Sequence, residues 1–160
     1  MPRDPQREFL RHTLATLAYR GSKPLRNAPP GFAETRVCQT SRSAVQILAH
    51  IGDLFDWALS MAQGKEKWRN AKPESWDFEV ARFYEALAAF DNYLGSEAPL
   101  ECEAEKLFQG PVADALTHVG QLATLRRLAG APVRGENYQR ADITVGRVGA
   151  DQPPARREFD

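Results

Sequence analysis

The sequence predicts an all-α fold, in which four main helices form a bundle within one domain. Apolar residues recur every three or four positions in four separate segments, as expected for helices with one buried face. Residues typical of helix ends, mainly Asp, Ser, Pro and Gly, bound these segments. The 160 residues are enough for a single domain that buries about two-thirds of its unfolded surface. We therefore expect one domain over residues 1–160, with a helical core over about 5–130.

The first helix is predicted over roughly residues 5–20. Asp4 suits the N-cap position and Pro5 suits the first helical position, where a missing N–H costs nothing. Leucines then recur at spacings of four and three residues and form an apolar stripe. Gly21 and Pro24 are expected to end the helix.

The second helix is predicted from about Ser41 to Gln63, where Gly64 suits the C-cap. Its apolar arc consists of Ala44, Ile47, Ile51, Leu54, Phe55, Ala58 and Met61. The stretch from Lys65 to Pro73 is polar and rich in lysine, which indicates a long crossover rather than a tight hairpin. A connection of this length permits the second and third helices to be parallel neighbours.

The third helix is predicted to start after Ser75 and to end at Gly95. Its apolar stripe consists of Phe83, Leu87, Phe90 and Leu94. A short helical turn is expected over Glu101 to Phe108, after which Gly110-Pro111 opens the fourth helix. That helix is predicted to end at Ala129-Gly130.

Residues 131–160 differ from the rest of the chain in composition. They are rich in Gly, Pro and Arg and too few to form a core of their own. We therefore expect a C-terminal extension whose start packs on the bundle and whose end is frayed.

Composition and charge argue against several classes of function. Lys and Arg number 21, as do Asp and Glu, so no net field attracts nucleic acid or an anionic membrane. Cys38 and Cys102 lack the spacing of a zinc ribbon or a disulfide framework. The N-terminus has no apolar signal region, and no apolar stretch approaches the ~20 residues of a membrane span. A cytoplasmic protein with free thiols is expected.

The fourth helix carries the most informative polar residues. Asp114 is its only charged residue between Val112 and Leu125, which suggests a helix buried on most sides. Asp114, His118 and Gln121 follow one another at one-turn spacing, so they project from one line of the helix. A buried carboxylate without a partner would cost several kcal/mol, so a partner is expected opposite them.

His50 on the second helix is predicted to point into the bundle, because it lies at the edge of the apolar arc. It could then join Asp114 and His118 around one divalent ion and leave coordination positions open. The alternative is that His50 is a satisfied histidine at the edge of the core, while Asp114 and His118 form a hydrogen-bonded pair.

Other polar residues have two interpretations each. Asp53 and Asp56 could orient His50 from behind, or could belong to a solvated helix face. Arg126 and Arg127 suit the negative end of the fourth helix, or could receive an anionic substrate.

The second and fourth helices resemble those of the DinB-like (DinB/YfiT) superfamily of metalloenzymes. The resemblance rests on the segment Ile47–Trp57, ILAHIGDLFDW, and on the segment Leu116–Gly130, LTHVGQLATLRRLAG. It implies a four-helix bundle in up-down-down-up order with a long second connection. It also implies a metal triad made of one histidine from the second helix and an H-x-x-x-H pair from the fourth.

In this resemblance His50 and His118 match the first and last ligands, whereas Asp114 replaces the first histidine of the H-x-x-x-H pair. Aspartate is a competent oxygen ligand, so the ion could be zinc, nickel, iron or manganese, or the site could have lost its metal. Gln121 and Trp57 are expected beside substrate or ligands, and Tyr138 could close the mouth of the site.

The resemblance implies a thiol-dependent transferase, isomerase or hydrolase that acts on a small molecule, with a low-molecular-weight thiol as cosubstrate. A homodimer is expected. The alternatives are a non-catalytic dimeric helical bundle, serving as a stress-response or scaffold protein, and a protein that binds a small ligand without turnover. In the scaffold interpretation Trp57, Trp68 and Trp76 act in packing or at an interface.

Overall fold

A computed structural model describes residues 4–159 and confirms the all-α class. The helices are α1 (Pro5–Leu25), α2 (Ala44–Ala62), α3 (Trp76–Gly95), the short α4 (Ala104–Leu107) and α5 (Ala113–Leu128). Single 3₁₀ turns occur at Phe32–Glu34 and Tyr138–Arg140. The four long helices enclose one apolar core, to which each of them contributes fully buried side chains. Within the described residues, no helix is both long and apolar enough to cross a membrane.

The first helix is longer than predicted, because α1 continues through Gly21 and Pro24 to Leu25. Gly21 lies where α1 packs against α3, and a Cβ atom there would come within 2.7 Å of the Phe83 ring. Glycine is therefore needed at this position so that the two helices can approach closely, and not to end α1. Pro24 precedes the last residue of α1, so only the final turn has to accommodate it.

Contacts at both ends show that α2 and α3 run parallel. Arg82, in the second turn of α3, donates a hydrogen bond to the carbonyl of Ala49 in the second turn of α2. Beyond the end of α3, the Glu101 amide donates to the carbonyl of Ala62, the last residue of α2. The chain must therefore return along the bundle between these helices, and residues 63–75 provide the long crossover that the sequence predicts.

Helices α1 and α5 run in the opposite direction. Arg11, early in α1, binds both carboxylate oxygens of Asp91 near the end of α3, so these two helices are antiparallel. Arg126, in the last turn of α5, donates to the carbonyl of Pro24 at the end of α1, so α5 is parallel to α1. The four long helices thus follow an up-down-down-up order.

Helices α4 and α5 belong to one continuous helical run, whereas the sequence predicts that Gly110-Pro111 opens a new helix. A π turn over Phe108–Val112 joins them, and the Ala113 amide donates to the carbonyl of Phe108, five residues earlier. Pro111 has no N–H to give to an α-helical ladder, and the wider turn accommodates it without ending the helix.

The C-terminal segment does not fray as expected, because its last described residues pair with its beginning. The Phe159 amide donates to the Gly135 carbonyl at 2.8 Å, and the Asn137 amide donates to the Arg157 carbonyl at 2.9 Å. Between these pairs, Val148 joins the apolar core. Backbone hydrogen bonds and one buried side chain therefore hold this segment on the bundle.

Candidate metal centre

Three polar side chains from α2 and α5 meet between the two helices. Nε2 of His50 lies 3.5 Å from Oδ2 of Asp114, and Nε2 of His118 lies 3.4 Å from Oδ1 of the same carboxylate. The two imidazole rings are nearly perpendicular, with centroids 4.8 Å apart. One potential ligand atom from each residue lies within 4.8 Å of the other two. The structure thus brings together the three residues that the sequence suggests as a set.

The helix geometry explains this convergence. Asp114 and His118 are four residues apart on α5, so their side chains lie on the same face one turn apart. His50 belongs to α2, whose apolar arc packs against α5 and turns the imidazole towards it. The two imidazoles are largely buried, whereas the Asp114 side chain is 47% exposed. The carboxylate is therefore less buried than we expected, and it lies at the open side of the cluster.

His118 is oriented by a neighbour on its own helix. Its Nδ1 lies 2.8 Å from Oε1 of Gln121, one turn further along α5. Because the amide oxygen can only accept, Nδ1 carries the proton, and the lone pair of Nε2 points towards Asp114 and His50. A histidine that ligates a metal is commonly oriented in this way, by a hydrogen bond at its other ring nitrogen.

His50 lacks a comparable partner. Its Nδ1 is buried and makes no hydrogen bond to any of residues 4–159. Burial lowers the pKa of His50 below its ordinary value, as do the positive charge of Arg42 and the neighbouring His118, against the opposing effect of Asp114. The neutral imidazole is therefore favoured, and this is the form that binds metal ions.

The three groups are spaced more widely than the members of a hydrogen-bonded set. Charge-assisted hydrogen bonds between nitrogen and a carboxylate are about 2.7–2.9 Å long, and the contacts of Asp114 with both imidazoles are longer. With one ligand atom taken from each residue, the three atoms lie within 4.8 Å of one another, and neighbouring ligands of a tetrahedral ion at about 2.0–2.2 Å are about 3.3–3.6 Å apart, so the side chains would close slightly around an ion. The residues present could hold a metal ion, with three protein ligands and at least one position left open.

A cavity of about 570 Å³ opens beside His118. One wall is the outer face of α5, and the other is formed by the chain that leads into α2. Its lining residues are Val37, Ser41, Arg42, Ile47, Thr117, His118, Gly120, Gln121, Thr124 and Leu125. A cavity of this size suits a small organic molecule.

This cavity corrects the expectation that α5 is buried on most sides. Thr117, Gly120, Gln121 and Thr124 are exposed and form a neutral strip along the helix. The sequence pattern, in which charged residues are scarce between Val112 and Leu125, does not separate a buried helix from a helix that lines a cavity with small polar residues.

An aromatic residue of the crossover covers the other side of His50. The ring of Trp68 packs edge-on against His50 at 5.7 Å between centroids, and also against Trp57 at 5.7 Å. The Trp57 indole N–H donates to Glu66 in the same crossover. Trp57 therefore supports the residue that touches His50, and it does not itself stack on that imidazole.

Asp53 and Asp56 do not orient His50. Arg82 of α3 binds Asp53 at 2.6 Å and Asp56 at 2.9 Å. Asp53 also accepts a hydrogen bond from the Ala71 amide, and only 2% of its side chain is exposed. Both carboxylates lie on the side of α2 that faces α3, so the idea that they support the metal ligands is wrong, as is the idea of a solvated face for Asp53.

Tyr138 does not close the mouth of this cavity. Its ring lies under the guanidinium of Arg20 at 4.0 Å and edge-on to Tyr19, both on α1. The neighbouring Glu136 binds Tyr19 and Lys23, which fixes this part of the C-terminal segment on α1. The segment thus packs on the α1 side of α5, away from the strip that faces the cavity.

Arg126 is also committed elsewhere. It is 6% exposed and donates to the carbonyls of Pro24, Arg26 and Ala131, so it caps the end of α1 and has no free face for a substrate.

Sequence reasoning missed two residues next to the cluster. Trp68 is the only aromatic residue in the polar stretch from Lys65 to Pro73, and this isolation was a usable signal. Arg42 has no such signal, because the sequence predicts a helix from about Ser41, whereas in the structure Arg42 precedes α2, directly before the capping residue Ser43.

We compared the chain with models of protein families, with curated proteins and with solved structures, and none of these matches it.

Proposed function

We propose that this protein is a divalent-metal-dependent enzyme of the DinB-like type, with His50, Asp114 and His118 as the metal ligands. The observation that carries the proposal is the convergence of these three groups beside an open cavity. Structural metal sites are usually closed by four protein ligands, whereas catalytic sites keep a position for water or substrate. Three ligands beside a cavity match the catalytic pattern.

A bound divalent ion would supply Lewis-acid activation of a water molecule or of a thiol. The protein's own residues provide the rest. His118 is held in one tautomer by Gln121, and Asp114 supplies a negative charge that offsets part of the charge of the ion. Trp68 of the crossover packs edge-on against His50 and covers that side of the imidazole.

The resemblance to the DinB-like superfamily extends the proposal to the type of reaction. It favours a transferase, isomerase or hydrolase that uses a low-molecular-weight thiol, and the up-down-down-up order of the helices agrees with it. Asp114, where the superfamily pattern has histidine, adds a hard oxygen ligand. This ligand should shift the preference among zinc, nickel, iron and manganese towards the harder ions.

Metal analysis tests the proposal directly. The full chain, purified without a nickel column, is expected to contain close to one equivalent of a divalent metal. His50→Ala, Asp114→Ala and His118→Ala should each lose it, while remaining folded by circular dichroism. His12→Ala is the matched control, because His12 is the third histidine of the chain and is exposed on α1.

Two outcomes would contradict the proposal. The first is a wild-type chain that holds no metal as purified and takes up none of zinc, nickel, iron, manganese or cobalt on titration. The second is metal that persists in the His50 and His118 variants but disappears in the His12 variant. Either result would leave the cluster as a polar contact between α2 and α5.

A further inference from the structure

The cavity beside His118 contains one strong anchor for a ligand. Among the described residues that line it, Arg42 is the only one that carries a full charge. Its guanidinium is exposed and makes no hydrogen bond or ion pair with residues 4–159. No carboxylate of residues 4–159 lines the cavity to compete for it. A free guanidinium in a concave site presents a planar set of donors that matches a carboxylate or a phosphate.

Two arginines that are more buried than Arg42 are held by partners of the fold. Arg82 is engaged by Asp53 and Asp56, and Arg126 by three backbone carbonyls. Both therefore serve the fold. Arg42 has no such structural partner, so its position at the cavity is not explained by the stability of the helices that it borders.

The other residues that line the cavity indicate which chemical groups the rest of the ligand should have. Val37 and Ile47 provide apolar surface on the α2 side, and Leu125 provides it on α5. Thr117 and Thr124 provide hydroxyl groups, although each also bonds to a carbonyl of its own helix. Gln121 uses its Oε1 on His118, which leaves its amide N–H₂ as a donor towards the cavity. The lining thus suits a compact molecule with an apolar body and an anionic group.

We propose that the substrate is a small organic anion whose carboxylate or phosphate binds Arg42, while its apolar body lies against Val37, Ile47 and Leu125. This inference rests on the proposed function. A molecule in the cavity would lie beside the metal ligand His118, and it is a substrate only if the metal site is catalytic. The anion would also offset the positive charge that a divalent ion adds beside Arg42. Binding of the anion at Arg42 can nevertheless be measured without a metal.

The test uses the full chain stripped of metal by chelation, so that an ion cannot hold the probe. Benzoate, phenyl phosphate and the neutral isostere benzamide are titrated, and the amide NMR signals of Thr117, Gly120, Gln121 and Thr124 are followed. Benzoate or phenyl phosphate should shift these signals, and benzamide should bind at least about tenfold more weakly, since hydrogen bonds to charged groups contribute that much. The tighter of the two anions identifies the anionic group.

Arg42→Gln should weaken binding of the anion by about 10–100-fold, and Arg42→Lys should restore part of it. Arg140→Gln is the control, because it removes an exposed arginine of the C-terminal segment that does not line the cavity, and it should change nothing. The inference is overturned if neither anion shifts the α5 signals, if benzamide binds as well as benzoate, or if Arg42→Gln binds as the wild type does. Metal content is measured on the same variants. Loss of metal binding with intact anion binding would reject the proposed function alone.

Discussion

Helix α2 carries a polar cluster on each of two sides, and the clusters differ in how their charges are satisfied. On the α3 side, the guanidinium of Arg82 meets the carboxylates of Asp53, Asp56 and Glu79. On the α5 side, two imidazole nitrogens face the carboxylate of Asp114 at 3.4–3.5 Å. The first cluster joins donors to acceptors, whereas the second mainly collects atoms that bind cations.

This difference indicates that the cluster on the α3 side stabilises the fold, whereas the cluster on the α5 side has the composition of a ligand-binding site. Around Arg82, backbone amides add to the network, since Ala71 donates to Asp53 and Glu74 donates to Oε1 of Glu79, while Oε2 of Glu79 lies 3.6 Å from the guanidinium and makes no hydrogen bond. These bonds also attach the crossover to the bundle. Around Asp114, no lysine or arginine of residues 4–159 pairs with the carboxylate, and Nδ1 of His50 makes no hydrogen bond to these residues. Each cluster thus holds one buried atom without a hydrogen bond, and the clusters differ in whether a cation of the described chain lies among their acceptors.

The largest effect is expected on the α3 side. Arg82→Met removes the only cation from three carboxylates, of which two are almost fully buried, and should lower the free energy of unfolding by about 3–5 kcal/mol. Urea denaturation of the metal-free chain measures it. Arg127→Met, at an exposed site of α5, should change the free energy of unfolding by no more than about 0.5 kcal/mol.

A loss below about 1 kcal/mol for Arg82→Met would be typical of surface ion pairs. The contrast between the two clusters would then fail, because the Arg82 network would not be what holds the crossover in place.

A smaller effect is expected from the residue that orients His118. Gln121→Leu removes the acceptor for Nδ1 and should weaken metal binding by about 10–100-fold, with little change in the stability of the metal-free chain. Competition with a chromophoric chelator measures the affinity. Gln121→Glu keeps an acceptor and should bind nearly as tightly as the wild type. Thr124→Val, which removes a hydroxyl from the same cavity wall, is the control.

Equal metal affinity of Gln121→Leu and the wild type would show that the hydrogen bond between Gln121 and His118 does not orient His118 for metal binding. The cluster on the α5 side would then resemble an incidental polar contact more than a metal site with pre-oriented ligands.

The fold was largely predictable because it depends on patterns that are local in sequence. Ser75 caps α3, and the helix ends at Gly95, as its spacing indicates. The predictions were wrong where tertiary packing, and not the local sequence, determines the backbone structure. Gly21 looks like a helix terminator, but it is glycine because Phe83 lies against it. Pro111 looks like a helix start, but a π turn accommodates it.

The candidate site was predictable only in part, for a related reason. Helical periodicity places Asp114 and His118 on one line, and this holds in the structure. Periodicity cannot tell which neighbouring helix a charged residue faces, and neither interpretation of Asp53 includes its pairing with Arg82 of α3. Residues on loops, such as Trp68 and Arg42, reach the site only through the path of the chain, which no local pattern encodes.

The smallest effect concerns the protonation of His50. Its pKa is lowered from the ordinary value of 6.5, so the folded chain prefers the neutral imidazole more than the unfolded chain does. The unfolded state therefore binds more protons below about pH 6.5. This contribution to stability is present above pH 6.5 and is lost as the pH falls through the pKa of the folded state. In the metal-free chain, His50→Leu should flatten the fall of stability on acidification.

At pH 8 the imidazole of His50 is neutral in both the folded and the unfolded chain. His50→Leu should then be as stable as the wild type, or more stable by up to about 1 kcal/mol. The substitution removes a buried nitrogen that has no partner among residues 4–159. Urea denaturation at several pH values measures both effects, and His12→Leu on the exposed face of α1 is the control. Marked destabilisation by His50→Leu at pH 8 would mean that His50 serves the fold, as Arg82 does. The two sides of α2 would then differ in composition but not in role.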